Sequence, residues 1–207
     1  MHTDSTHVKK GSKAAQSAAT RAKLLKVARR LFAKHGYAAV GTEDIVRRAG
    51  VTRGALYHQF ADKKDLFRGV FEQIEEELAM AAAQRAMAEG DPLSAMRAGA
   101  SHWLEVCSEP EVQRIVLLDA PAVLGWEEWR EISARWSLGQ IEAVLGEAME
   151  AGLIERQPAA ALAHVLMGAL DEAALYIAEA EDEDAARGEV DQVVTRMIDS
   201  LRPAGRK

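Results

Sequence analysis

Residues 41–67 read GTEDIVRRAGVTRGALYHQFADKKDLF, and the spacing within this stretch decides the fold. Thr42 is placed to N-cap a segment in which Ile45, Val46 and Ala49 recur at helical intervals, its hydroxyl accepting from first-turn backbone N–H groups. Gly50 follows the last periodic residue, where a helix C-terminus wants a residue tolerant of left-handed backbone. Thr52 can cap a second segment, Arg53 to Gln59, with Leu56 facing inward and Arg53, Tyr57 and His58 facing outward. An inward Ala49, a glycine in the turn and an apolar Val51 after it complete a helix-turn-helix pattern.

A second helix this short and polar has little reason for exposure unless it presents side chains to a partner. In such a motif its N-terminal end enters the major groove of DNA while the first helix crosses the backbone. Arg53 suits paired donation to guanine O6 and N7, His58 can reach a base or a phosphate, and Gly54 lets the helix approach the duplex closely. Phosphate anchors come from helix N-termini, hydroxyls and lysines, because donors to a polyanionic backbone fix register.

The run resembles the DNA-binding domain of the TetR family of bacterial transcriptional repressors. The resemblance begins at Thr20, Arg21, Leu24, Leu25, Ala28, Leu31, Phe32, Gly36 and Tyr37. It continues through Thr42, Asp44, Ile45, Ala49, Gly50, Val51, Gly54, Leu56, Tyr57, Phe60, Lys63, Leu66 and Phe67. It implies that Thr42, Thr52, Tyr57 and Lys63 contact phosphate. Where the family often has His before the closing Phe, this chain has Gln59, which can still donate to a phosphate.

Net charge is −6 over 207 residues, which taken alone argues against a polyanionic partner. Its distribution reverses that reading. Residues 1–68 hold 15 Lys and Arg against 5 acids, and the remainder holds 11 against 27. A basic end joined to an acidic body is the electrostatic footprint of a nucleic-acid-binding head. The single cysteine, Cys107, excludes an internal disulfide and fits a reducing cytosol. No apolar run approaches the roughly 20 residues that span a bilayer, and the first residues lack the apolar block of a signal peptide. A cytoplasmic protein without membrane association is expected.

The spacing predicts an all-α chain of about nine helices. Residues 1–18 are expected as a disordered basic arm, 19–67 as the helix-turn-helix domain, and 68–207 as a helical effector-binding and dimerisation domain. Helix one runs from near Thr20 to His35 and is ended by Gly36; Tyr37 and Val40 plug the base of the three-helix core. Asp62 caps a long fourth helix that leads toward the larger domain. A break is expected at Pro121, a helix start with Pro158 as its first residue, and a solvated loop over Glu179 to Asp184.

Four tryptophans, Trp103, Trp126, Trp129 and Trp136, fall close together in sequence and can line an apolar cavity, with His102, Asp119, Asp171 and Tyr176 as its polar groups. Each is equally readable as core. The last two helices carry more apolar surface than one subunit hides. Leu162, Val165, Leu166 and Ala169 on one, with Val193, Val194, Met197 and Leu201 on the other, are the expected dimer interface. The resemblance implies that these helices form a four-helix bundle with their mates.

The leading expectation is a ligand-responsive repressor that binds a palindromic operator in double-stranded DNA as a homodimer and is released by a small-molecule effector. Two alternatives stand beside it: a nonspecific architectural DNA-binding protein, and an enzyme using His102 with Asp119 or Cys107. No nucleophile, base and oxyanion donor occur at recognisable spacing, so no catalytic residue, metal or cofactor is expected. His164 and Asp171, seven apart on one helix, do not form a metal motif.

Overall fold

A computed structural model describes residues 6–203, with side chains from residue 13 onward, and every regular element among them is helical. Two compact units divide the chain, one ending at Glu72 and the other starting at Gln73. The division falls inside a helix rather than at 67/68. Leu66, Phe67, Val70 and Phe71 are all fully buried and carry the helix's apolar line past residue 67.

The first unit opens with α1, Thr6–Ala39. Residues 6–18 are therefore helical, where a disordered arm was expected; residues 1–5 lie outside the described residues. The reason is propensity. Residues 13–19 read Lys-Ala-Ala-Gln-Ser-Ala-Ala, strong helix formers that need no apolar stripe to extend an existing helix. Gln59 Nε2 also donates to Ser17 Oγ at 2.7 Å, which gives the extension a tertiary anchor. Gly36 interrupts α1 at φ 74°, ψ 161°, a conformation that favours glycine. The turn after it sets the Tyr37 ring 5.7 Å from Phe32 and 5.2 Å from Phe67, with Phe32 and Phe67 themselves 5.2 Å apart. This three-ring cluster and the buried Val40 close the base of the core.

Helix α2 spans Thr42–Ala49 and α3 spans Arg53–Gln59; each packs on α1 and on the other. The cap of α2 is Gly41, in extended conformation, and not Thr42, which is the first helical residue. The Gly41 carbonyl already accepts from Ile45 N, so the helix begins one residue before the hydroxyl could cap it. Gly50 takes left-handed backbone (φ 64°, ψ 36°), and Val51 N donates to Val46 O at 3.1 Å, closing the end of α2. Thr52 Oγ1 accepts from Ala55 N at 3.1 Å and caps α3 as the spacing predicts. Leu56 and Phe60 bury its inner face.

Helix α4, Lys63–Met87, runs from the first unit into the second. Its start is locked twice: Asp62 Oδ1 accepts from Asp65 N at 2.7 Å, and Asp65 Oδ2 accepts from Ala61 N at 2.9 Å.

The second unit holds the rest of α4, then α5 (Pro92–Cys107), α6 (Pro110–Val112), a π-helical stretch (Gln113–Asp119), α7 (Ala120–Leu124), α8 (Trp126–Glu150), α9 (Ala159–Glu179) and α10 (Glu183–Asp199). Pro121 does not break the chain. It sits in the first turn of α7, directly after the π-helical stretch has shifted the hydrogen-bond register, and Gly125 ends the run at φ 92°. Pro158 is the cap of α9 rather than its first residue, and the loop before α10 is shorter than expected, because Asp182 already caps Ala185 N. Helix α9 packs against α5, α8 and α10, and Arg97 on α5 pairs with Asp199 on α10 at 2.5 Å. Helix α9 is long and apolar enough to cross a membrane by length and composition alone. It also carries Asp171 in an ion pair with Arg130 of α8, and its apolar surface has both inward and outward faces.

Candidate nucleic-acid interface and interior cavity

The outward face of α3 assembles Arg53, Gly54, Tyr57 and His58, all exposed. Tyr57 is 43% exposed, too much for a core-edge aromatic, and the Arg53 guanidinium lies 5.6 Å from its ring centroid. Four residues apart on one helix, the ring steadies the guanidinium without consuming its donors. A Cβ built at Gly54 would meet only Thr52 Oγ1, at 4.0 Å, and the backbone there needs no positive φ. Nothing among the described residues explains a glycine at this position.

Two residues expected on phosphate have intramolecular roles. Lys63 Nζ donates to Tyr37 O at 2.8 Å and Val40 O at 2.9 Å, and stands 4.0 Å over the Tyr37 ring. It neutralises the carbonyls where α1 ends, and burial lowers its pKa from the ordinary lysine value. Gln59, through its bond to Ser17, fastens α3 to α1. Arg21 completes the clasp: Nη1 donates to Gln59 O at 3.1 Å and the guanidinium lies 4.3 Å over Phe60. Its hydrogen-bond partner Gln59 lies 38 residues away, which is why spacing alone did not give it this role.

Within the second unit lies a cavity of about 400 Å³ among α4, α5, α8, α9 and α10. Its walls are mainly Ala, Leu, Ile and Met, among them Leu78, Ala82, Met96, Ile141, Met167 and Leu170. Of the expected pocket residues, Trp103 and Asp171 line it. The others do not. Trp126 is 66% exposed, its ring tilted against that of the buried Trp129 with centroids 4.9 Å apart, Tyr176 is 56% exposed, and Asp119 lies 3.8 Å from Arg114. Trp136 is half-buried and His102 is buried outside the lining. Proximity in sequence misled, because successive helical positions point in different directions.

The sequence reading missed Glu75. Its side chain is 1% exposed and lines the cavity, and Ser133 Oγ on α8 donates to Oε1 at 3.1 Å. Burial raises its carboxyl to about 8, with the Ser133 bond opposing and the Asp171 charge adding to the rise. Burial likewise raises Asp171 to about 6, against the pull of Arg130. Glu75 and Ser133 lie 58 residues apart, so no local signal joins them.

Of the residues of the enzyme alternative, Cys107 is poorly placed for chemistry. Cys107 is 2% exposed, and its thiol is pushed well above the ordinary value by burial, then by the charges of Glu75 and Asp171, which disfavours a nucleophilic thiolate. Among the described residues no group of three or more His, Cys, Asp or Glu could hold a metal ion.

A family model described as "Bacterial regulatory proteins, tetR family" matches residues 24–70. A second, "Tetracyclin repressor-like, C-terminal domain", matches residues 93–201, more than half of the chain. The chain is 38% identical over 99 residues to the HTH-type transcriptional regulator AcrR of Shigella flexneri, covering 47% of this chain and 46% of that one, so the match spans about half of that relative's length. A crystal structure of a TetR-family transcriptional regulator from Pectobacterium atrosepticum superposes with a TM-score of 0.84 at 35% identity, over 93% of this chain and 98% of that one. RolR in complex with resorcinol shares the fold, at a TM-score of 0.69 and 22% identity over 93% and 98% of the two chains. With head and body both matched in order along one chain, the protein belongs to the TetR family of bacterial transcriptional regulators.

Proposed function

We propose that the protein is a cytoplasmic repressor that binds a palindromic operator in double-stranded DNA as a homodimer and leaves it when a small molecule enters the cavity of the second unit. The observation that carries this reading is the outward face of α3. A capped helix held by buried Leu56 and Phe60 presents Arg53, Tyr57 and His58 beside a glycine that the fold does not require. Arg53 reads a guanine, Tyr57 and the Thr52 end of α3 engage phosphate, and Gly54 admits the backbone close to the duplex. Two such helices about one DNA turn apart read the two half-sites.

The mate is met through the outer faces of α9 and α10. Leu166 and Val194 are buried and, with Met197, line the cavity of their own subunit, so they belong inside rather than in the dimer interface. Val165 and Val193 are 64% and 63% exposed, and Leu162, Ala169 and Tyr176 share the Val165 stripe at helical intervals. That stripe, with Leu201 half-buried at the end of the bundle, accounts for the apolar length of α9 without a membrane.

Effector binding shifts DNA affinity only if the effector prefers a conformation that binds DNA poorly. Helix α4 supports that coupling, because it contributes Glu75 and Leu78 to the cavity and Phe67 and Val70 to the first unit's core. RolR, which shares the fold, was solved with a small aromatic molecule. Comparing wild type with Arg53→Ala on specific and scrambled duplexes tests the reading. Loss of discrimination, by about 1–3 kcal/mol, supports it. Uniform weakening on all DNA would point to nonspecific binding, and no effect on any DNA would remove α3 from the account.

A further inference from the structure

The ionisable side chains lining the second unit's cavity are Glu75, Asp171 and Glu147, all acids; no Lys, Arg or His is among the lining residues. Arg130, the cation beside this wall, is committed to Asp171. Glu75 has no such partner. Ser133 is its hydrogen-bond donor, and burial, reinforced by the Asp171 charge, holds its carboxyl neutral near pH 7 against the pull of that bond. Glu147, with Gln140 and Ala143 beside it on α8, belongs to the lining and is exposed. The remaining surface is Ala, Leu, Ile, Val, Met and the Trp103 ring, with Gly99 and the Ser137 hydroxyl.

Resting on the effector reading above, we propose that the effector is a lipophilic organic amine whose apolar body fills the cavity and whose cationic nitrogen docks against the Glu75 carboxyl. An anionic ligand would be buried beside carboxyls with no counterion, a cost that excludes it. A cation has the opposite fate. As it binds, the Glu75 O–H bond breaks, its proton leaves to bulk solvent, and the ammonium keeps its own proton in the ion pair that forms. The other groups facing Glu75 do not compete: Asp171 on α9 is ionised and paired with Arg130 on α8, and the Cys107 thiol on α5 stays protonated. Glu147 on α8 is exposed, and the lining residues of α10 (Val194, Met197 and Ile198) do not titrate. The new charge lands on α4, the helix that continues into the DNA-binding unit.

Three probes of one shape separate the charges: naphthylmethylamine, naphthylmethanol and naphthoate, titrated calorimetrically into the full-length protein near neutral pH. The amine is expected to bind at least about tenfold tighter than either congener, with close to one proton released per ligand across buffers of differing ionisation enthalpy. Glu75→Gln, which keeps an acceptor for Ser133, is expected to abolish both the preference and the release. Should that variant not fold, proton release by the wild type decides alone. Equal or tighter binding of the alcohol or naphthoate, amine binding without proton release, or a preference surviving in Glu75→Gln overturns the amine assignment. If the alcohol or naphthoate binds and weakens DNA binding, the effector reading stands while the amine class falls. If none of the three binds, both fall.

Discussion

Gly54 and Glu75 each break a local rule, and each break points to function. Glycine inside a helix costs about 1 kcal/mol relative to alanine, and a Cβ at Gly54 has room, its nearest neighbour being Thr52 Oγ1 at 4.0 Å. Gly54→Ala is therefore expected to keep or raise thermal stability while lowering operator affinity about tenfold, as methyl and duplex collide. Unchanged affinity in anisotropy titrations would show that α3 does not approach the duplex there. Glu75 makes its prediction through pH. Its carboxyl is neutral when folded, near 8, and has its ordinary value of 4.5 when exposed. The folded state thus holds the extra proton between those values, so stability is fully present below about 4.5 and is lost as pH rises toward 8. Asp171 acts in the same direction, but its loss is complete by about 6. The wild-type Tm should fall between pH 6 and 8, and the Glu75→Gln variant should be nearly flat there; an equally steep fall in the variant contradicts the assignment.

Among the elements, the legible ones are those whose signals are local. Gly50 and Thr52 mark the end of α2 and the start of α3, and Asp62 marks the start of α4, because the bonds that close these ends lie within three to five residues. The π-helical stretch before Pro121 and the N-terminal extension of α1 were not legible. The first depends on how residues 113–124 pack, the second on propensity reinforced by the distant Gln59–Ser17 bond. The approach of α4 to α1 is of the same distant kind. A Cβ at Gly69 would lie 3.1 Å from Leu25 Cδ2 and 3.3 Å from Phe60 Cε1, so these two side chains, both packed in place, would have to give way by a few tenths of an ångström. Gly69→Ala is expected to destabilise the first unit by about 1–3 kcal/mol despite alanine's better helix propensity, with a matching loss of DNA binding. A Tm at or above wild type would show that the contact relaxes freely.

For the molecule as a whole, the charge division and the helix-turn-helix stretch sufficed to read a DNA-binding head on a helical body. The cavity was only partly legible: Trp103 and Asp171 belong to it, while Glu75, Ser133 and the apolar wall come together only through the packing of five helices. The proposed dimer face has the same limit. Apolar residues on α9 and α10 were visible, but burial was needed to separate the inward Leu166 and Val194 from the outward Val165 and Val193. Across a two-fold axis each substitution counts twice. Val165→Glu combined with Val193→Glu is expected to shift sedimentation from dimer to monomer and to weaken operator binding by at least about tenfold through loss of the second half-site. A double variant that sediments and binds as wild type would place the interface elsewhere. The central claim, a two-fold reader of DNA sequence, is tested most directly by selecting bound duplexes from random DNA at near-physiological salt. The account predicts convergence on an inverted repeat whose half-sites lie about one helical turn apart. Recovery of unrelated sequences, bound with equal affinity, would contradict it.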